Sequence, residues 1–208
     1  MKSSKLVLFA VLITIGFGAL CMSACSKDKT TTPTTSVLAS SPLYDTLGWF
    51  IQGGQGAVAG NGIKMVPDSD NAGQNIQAGR LAIRTVVNKA LMVIAADTTI
   101  NIYFPTLLGE LNANNTTGYS HLLNTFTDFV QQAVSGQQIY MGLSMKVAHN
   151  HATYARFGSA AHPTSSNADF DQFVTDVATA AQQLNVPNSV ITQLGALLNT
   201  TRADVVQQ

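Results

Sequence analysis

Apolar residues recur at helical spacing along nearly the whole second half of this chain, and that period restricts the fold more than any other feature. In AGRLAIRTVVNKALMVIAAD, Ile83, Val86, Val87, Ala90, Leu91 and Ile94 follow the i, i+3, i+4 rule of an amphipathic helix. YSHLLNTFTDFVQQAV repeats it with Leu122, Phe126, Phe129, Val130 and Ala133. DFDQFVTDVATAAQQL does so with Phe170, Phe173, Val174, Val177, Ala181 and Leu184. A last helix carries Val190, Ile191, Leu194, Leu197, Leu198 and Val205, with Pro187 suited to its first turn. LYDTLGWFI and LSMKVAHNHATYA read as shorter helices, Asp97 is placed to cap a turn over TTINIYFPTLL, and Pro105 limits that turn's continuation. No strand pair is expected: the fold class is all-α, with five or six helices and three long loops.

The N-terminus obeys different rules. A basic stretch, Met1 to Lys5, precedes the apolar run LVLFAVLITIGFGALC, which is shorter than the ~20 residues of a membrane-spanning helix. Ser23 and Ala24 then stand before Cys25, as at a bacterial lipoprotein cleavage site. The expected organisation is a signal peptide over 1–24, a tether over 25–41 rich in Ser and Thr, and a domain over 42–208. Cys25 is the expected lipidation site, since several acyl chains hold a protein on a membrane where one binds marginally. The address is the cell envelope, at the outer membrane or in the periplasm. Cys21 falls in the removed segment, so the mature domain holds no disulfide and depends on its hydrophobic core.

Charge narrows the function. Only 11% of the residues are charged and the formal net charge is zero, which gives no counterion-release drive toward nucleic acid. Gly54, Gly56 and Gly60 form a string like that of a dinucleotide loop, but such a loop must open a helix, and Gly62 and Pro67 interrupt the stretch where that helix would run. No Ser-His-Asp or Cys-His arrangement is suggested, and neither is an acid–base pair, so the chain reads as a binding protein rather than an enzyme.

YMGLSMKVAHNHATY holds two of the four histidines. On a helix, Met145, Ala148, His149 and Ala152 share one face, with His151 nearly opposite, so His149 is aimed at the core. A buried imidazole needs a partner. A hydrogen-bonded core histidine satisfies that need. So does an axial bond to haem, which brings four nitrogen ligands of its own and asks the protein for one base.

The ordered motifs resemble group 1 truncated haemoglobins. LYDTLG from Leu43 to Gly48 is similar to that family's opening L-Y-x-x-L-G-G, and AADTTINIYF to its A-D-x-x-L-x-x-F-F. Tyr140 and Gly142 stand for its Y-T-G, Met145-Lys146 with His149 for M-K-x-x-H, Phe170-Asp171 for H-F-D, and Val186-Pro187 for its G-V-P break. The resemblance implies a truncated-globin-like helical sandwich with loop insertions, non-covalent haem b, and His149 as proximal ligand with its other N–H on a carbonyl or water. It places Phe104 on the haem face, Phe129 on the distal side, Met141 and Met145 in the proximal pocket, and Lys146 near a propionate. Partners on this reading are a diatomic gas, the membrane through the lipid anchor, and a redox partner.

The chain departs from the family on the distal side. Leu91 stands where a tyrosine is usual, Phe126 where a glutamine is frequent, and Leu122 at another distal position. Bound O2 would lose its hydrogen-bond donors, which implies weaker, faster-releasing binding. His121 adjoins this face as a candidate sixth ligand or donor. Insertions over 52–78, 108–118 and 154–168, the last holding His162-Pro163, also break the pattern. A degenerate globin-like envelope module without haem is the alternative.

Overall fold

A computed structural model of the chain describes residues 41–150, 152 and 164–207, all within one compact unit. The signal peptide, nearly all of the tether with Cys25, and His151 and His162 lie outside the described residues.

The all-α class holds. The helices are α1 (Pro42–Phe50), α2 (Ala78–Ala96), α3 (Pro105–Asn112), α4 (Thr117–Ser135), α5 (Met145–Ala148), α6 (Asn167–Gln183), α7 (Asn188–Asn199) and α8 (Arg202–Val205), with a 3-10 turn over Asn101–Tyr103. Helix α2 packs against α1, α4 and α6, while α6 packs on α7. The pairs α2–α4 and α6–α7 thus meet across α2–α6, as a helical sandwich does.

Local chemistry sets the boundaries. Ser41 accepts the Tyr44 N–H at 3.2 Å to cap α1, and Pro42 fills the first turn, where its missing N–H costs nothing. Ser166 and Asp169 form a reciprocal capping box on α6. Gly136, at φ +74°, closes α4 in the left-handed region.

The core lies where α1, α2, α4, α6 and α7 converge. Tyr44, Leu47, Ile83 and Val190 are its largest apolar side chains that are almost wholly buried. The Tyr44 phenol donates to Gln77 Oε1 at 2.6 Å and accepts from Gln131 Nε2 at 2.9 Å. Burial pushes that phenol's pKa well up. Gly79 lets the ring in, since a Cβ there would stand 2.5 Å from it.

Several expectations are corrected. There are eight α-helices among the described residues, not five or six: the last predicted helix divides at Thr200–Thr201, and α3 forms where only a turn was expected. The hydroxyls of those threonines donate back to the carbonyls of Leu197 and Leu198 at 2.7 and 2.8 Å, offering the chain an alternative to straight helix. The 3-10 turn stops at Tyr103, short of Pro105 as expected, but Pro105 then opens α3, and Pro187 precedes α7 by one residue. A strand pair does exist: β1 (Met65–Pro67) runs antiparallel to β2 (Asn75–Gln77), with Val66 opposite Ile76. Both are three residues long, too short for alternation to register.

That hairpin sits in the 52–78 insertion and is fastened to the helices. Asp45 accepts the Gly62 N–H at 2.8 Å, and Arg84 on α2 binds Asp68 at 2.5 Å and Asp70 at 2.9 Å. The Arg84 guanidinium holds the Asp68 carboxyl well below the usual carboxylate range.

Candidate functional site

A cavity of about 690 Å3 lies beside the C-terminal half of α2. That volume falls within the ~300–1,000 Å3 common for small-molecule and cofactor pockets. Leu91 and Ile94 reach it from α2, Tyr103 and Phe104 from the 3-10 turn and its end, and Phe170 and Phe173 from α6. Leu122, Phe126 and Phe129 line it from α4, where their i, i+4, i+7 spacing makes one stripe. Met145 and His149 come from α5 and its C-cap, whereas Met141, from the segment after α4, is 92% exposed and stands at the cavity's rim rather than packed inside it.

The cavity thus gathers Leu91, Phe104, Leu122, Phe126, Phe129, Met141, Met145 and His149, all named from sequence. Lys146 shares the α5 turn but is exposed and is not among the lining residues. The predicted helical face is shorter than expected. Helix α5 ends at Ala148, so Met145, Ala148 and His149 line the cavity while Ala152 is an exposed turn residue. Ser144 caps this single turn by accepting the Val147 N–H at 3.4 Å.

The His149 ring is oriented by its own turn. Nδ1 lies 2.9 Å from the Met145 carbonyl oxygen, so it must carry the proton and donate. Nε2 then holds the lone pair, and among the described residues it has no hydrogen-bond partner. Burial lowers the imidazole pKa from its ordinary value, and the bond to the Met145 carbonyl opposes that shift without cancelling it. The ring is therefore neutral and able to ligate at neutral pH.

The walls are aromatic. Phe126 and Phe173 stand 6.1 Å apart between centroids, Phe170 and Phe173 meet edge-on at 5.9 Å, and Phe129 meets Tyr140 edge-on at 5.7 Å. Polar side chains on the lining are mostly engaged. Tyr103 donates to Asp169 Oδ2 at 2.9 Å, and the Tyr140 hydroxyl donates to the Leu143 carbonyl at 2.7 Å. His121 and Thr125, one turn apart on α4, also line the cavity, and His121 is exposed.

Sequence reasoning did not assign Tyr103, Tyr140 or Phe173 to the site. Phe173 was legible only as part of the α6 core stripe, whereas Tyr103 stands beside Phe104 in the same Y-F dipeptide. The first insertion does not reach the cavity: none of residues 52–78 lines it.

No family model matches the sequence, and no curated protein matches it. Among solved structures, the chain is similar to truncated hemoglobin from Tetrahymena pyriformis in its Fe(III) form, at 21% identity and a TM-score of 0.47, covering 61% of this chain and 91% of that one. Two point mutants of that protein match with the same identity and coverage and a TM-score of 0.48.

Proposed function

We propose that this domain binds haem b non-covalently, with His149 as the axial ligand, and that it takes up O2 or another diatomic gas reversibly. One observation carries the reading: the half-buried His149 imidazole, with Nδ1 already satisfied by a backbone carbonyl and burial favouring its neutral form, stands in the wall of a largely apolar, aromatic cavity, whereas the other lining imidazole, His121, is exposed. The donor set suits haem, because its iron has four nitrogen ligands already and requires one base from the protein. Haem would supply the metal that binds the gas; everything else comes from the chain.

His149 would offer Nε2 to the metal, while Met145 fixes the ring's tautomer and direction. Phe104, Phe126 and Phe129 would hold the macrocycle between flat faces and exclude water. Leu91, Leu122 and Phe126 would surround the bound gas with groups that donate no hydrogen bond, favouring quick release and giving no proton donor for bond cleavage. Binding rather than catalysis is the role these side chains suit. Acylated Cys25 would hold the domain at the cell envelope, the setting implied by the apolar N-terminal run and the small residues before that cysteine.

The test is an absorption spectrum of the purified chain, ferric and ferrous, with and without CO, beside His149→Ala. A Soret band in the parent, lost or weakened in the variant, is expected. A parent that stays colourless in excess haem would leave the haem-free envelope module as the reading. Radiolabelled palmitate incorporated by the parent and not by Cys25→Ala tests the anchor.

A further inference from the structure

The side chain of Gln132 fastens the segment that carries His149. It lies on the last turn of α4, half-buried, and two successive backbone amides converge on its Oε1: Ile139 N–H at 3.1 Å and Tyr140 N–H at 3.0 Å. Two donors on one atom identify that atom as the carbonyl oxygen of the amide rather than its NH2.

The chain between α4 and α5 needs such a fastening. Gly136 reverses it in the left-handed region, and no regular structure forms before Ser144. None of residues 136–150 is fully buried. Helix α5 is a single turn packed on α8, and its residues bury little apolar area to fix their place. A segment of this kind opens locally at low cost. The edge contact of Tyr140 on Phe129 begins at the clasped residue, so Gln132 also seats an aromatic ring at the cavity wall.

We propose that Gln132 is a positioning residue for the axial base: by clasping the Ile139 and Tyr140 amides it fixes the lead-in to α5, and with it the place of the His149 ring. It touches neither haem nor gas. The proposal rests on the reading of the cavity as a haem site, and it adds that haem retention is governed by an amide outside the set of cavity-lining residues.

The variants are Gln132→Met, which keeps the length and removes the acceptor, and Gln132→Glu, which keeps an acceptor. In the full chain loaded with haem, Gln132→Met is expected to lose haem to excess apomyoglobin about tenfold faster, as the loss of two hydrogen bonds implies. The iron–histidine stretching band of the ferrous form should shift or broaden. Gln132→Glu should restore both. In the haem-free chain, amide exchange at Ile139 and Tyr140 should be slow in the parent and fast in Gln132→Met. A pigmented parent whose haem loss and stretching band are unchanged in Gln132→Met overturns the clasp alone, as does a Gln132→Glu that behaves like Gln132→Met. If Gln132→Met does not fold, fast exchange at both amides in the parent overturns it. A parent that never holds haem overturns the haem reading and the clasp's role with it.

Discussion

Nδ1 of His149 lies 2.9 Å from the carbonyl oxygen of Met145, four residues earlier on the same turn. That contact settles which nitrogen holds the proton and which is left to bind. Burial meanwhile keeps the ring uncharged.

Acid should therefore discharge the site. A histidine whose folded pKa is lowered contributes stability that is fully present above its unfolded value, near 6.5, and that is lost as pH falls through the lowered folded value. On the proposed reading, haem held by His149 should stay in place at neutral pH and leave below that window, because protonation competes with the metal. The Soret band monitored during acid titration checks the release. An NMR titration placing His149 at or above 6.5 in the haem-free chain would contradict the premise.

Gas affinity should respond to a donor placed beside the bound ligand. Leu91→Tyr puts a hydroxyl on a wall now lined by Leu91, Leu122 and Phe126. One charge-assisted bond to bound O2 is worth about 1.5–3 kcal/mol, roughly a tenfold to hundredfold slower release. CO, which gathers less charge, should change little. Flash-photolysis and stopped-flow rates for the two gases measure the contrast.

Tyr103 joins the cavity wall to the start of α6 through its bond to Asp169. Burial, then the hydrogen bond and charge of Asp169, push its phenol pKa up to about 12. A raised folded value gives stability present below the unfolded value, near 10, and lost as pH rises through about 12. Tyr103→Phe should cost about 1.5–3 kcal/mol at neutral pH, the usual range for a bond to a charged partner. Asp169→Asn should bring the phenol down toward 10 without reaching it, since burial remains; ultraviolet titration of the phenolate reads this directly.

Gly79→Ala should destabilise the fold far from the cavity. The added Cβ would meet the Tyr44 ring at 2.5 Å, and that ring is held by Gln77 and Gln131 and cannot withdraw freely. Overpacking of this kind costs about 1–3 kcal/mol. For a chain of this size that lowers the melting temperature by roughly 2–4 °C per kcal/mol. Gas-binding rates of the folded variant should match the parent.

Much of this was readable in one dimension. The stripes of α2, α4 and α6 predicted long helices because burial on one face imposes a 3.6-residue period on apolar residues. The same stripes carried Leu91, Leu122, Phe126 and Phe129 to the cavity. His149 stood out because an imidazole among Met145, Val147 and Ala148 requires a partner. The strand pair is not legible there, because three-residue strands joined across Asp68–Gln74 leave no periodic trace. Nor is the extent of α5, because periodicity continues through His149 to Ala152 while the helix ends at Ala148.

By itself, then, the sequence determined the helical class, the apolar faces and the histidine that does not belong on one of them, since each is a matter of spacing along a chain. Only the tertiary structure decided that α2, α4, α5 and α6 border one cavity, that Tyr103 and Phe173 line it, and that Gln132 fastens the segment leading to His149. Those are relations between residues distant in sequence or joined through a side chain. They arise from how helices cross and where loops turn, which no local period encodes.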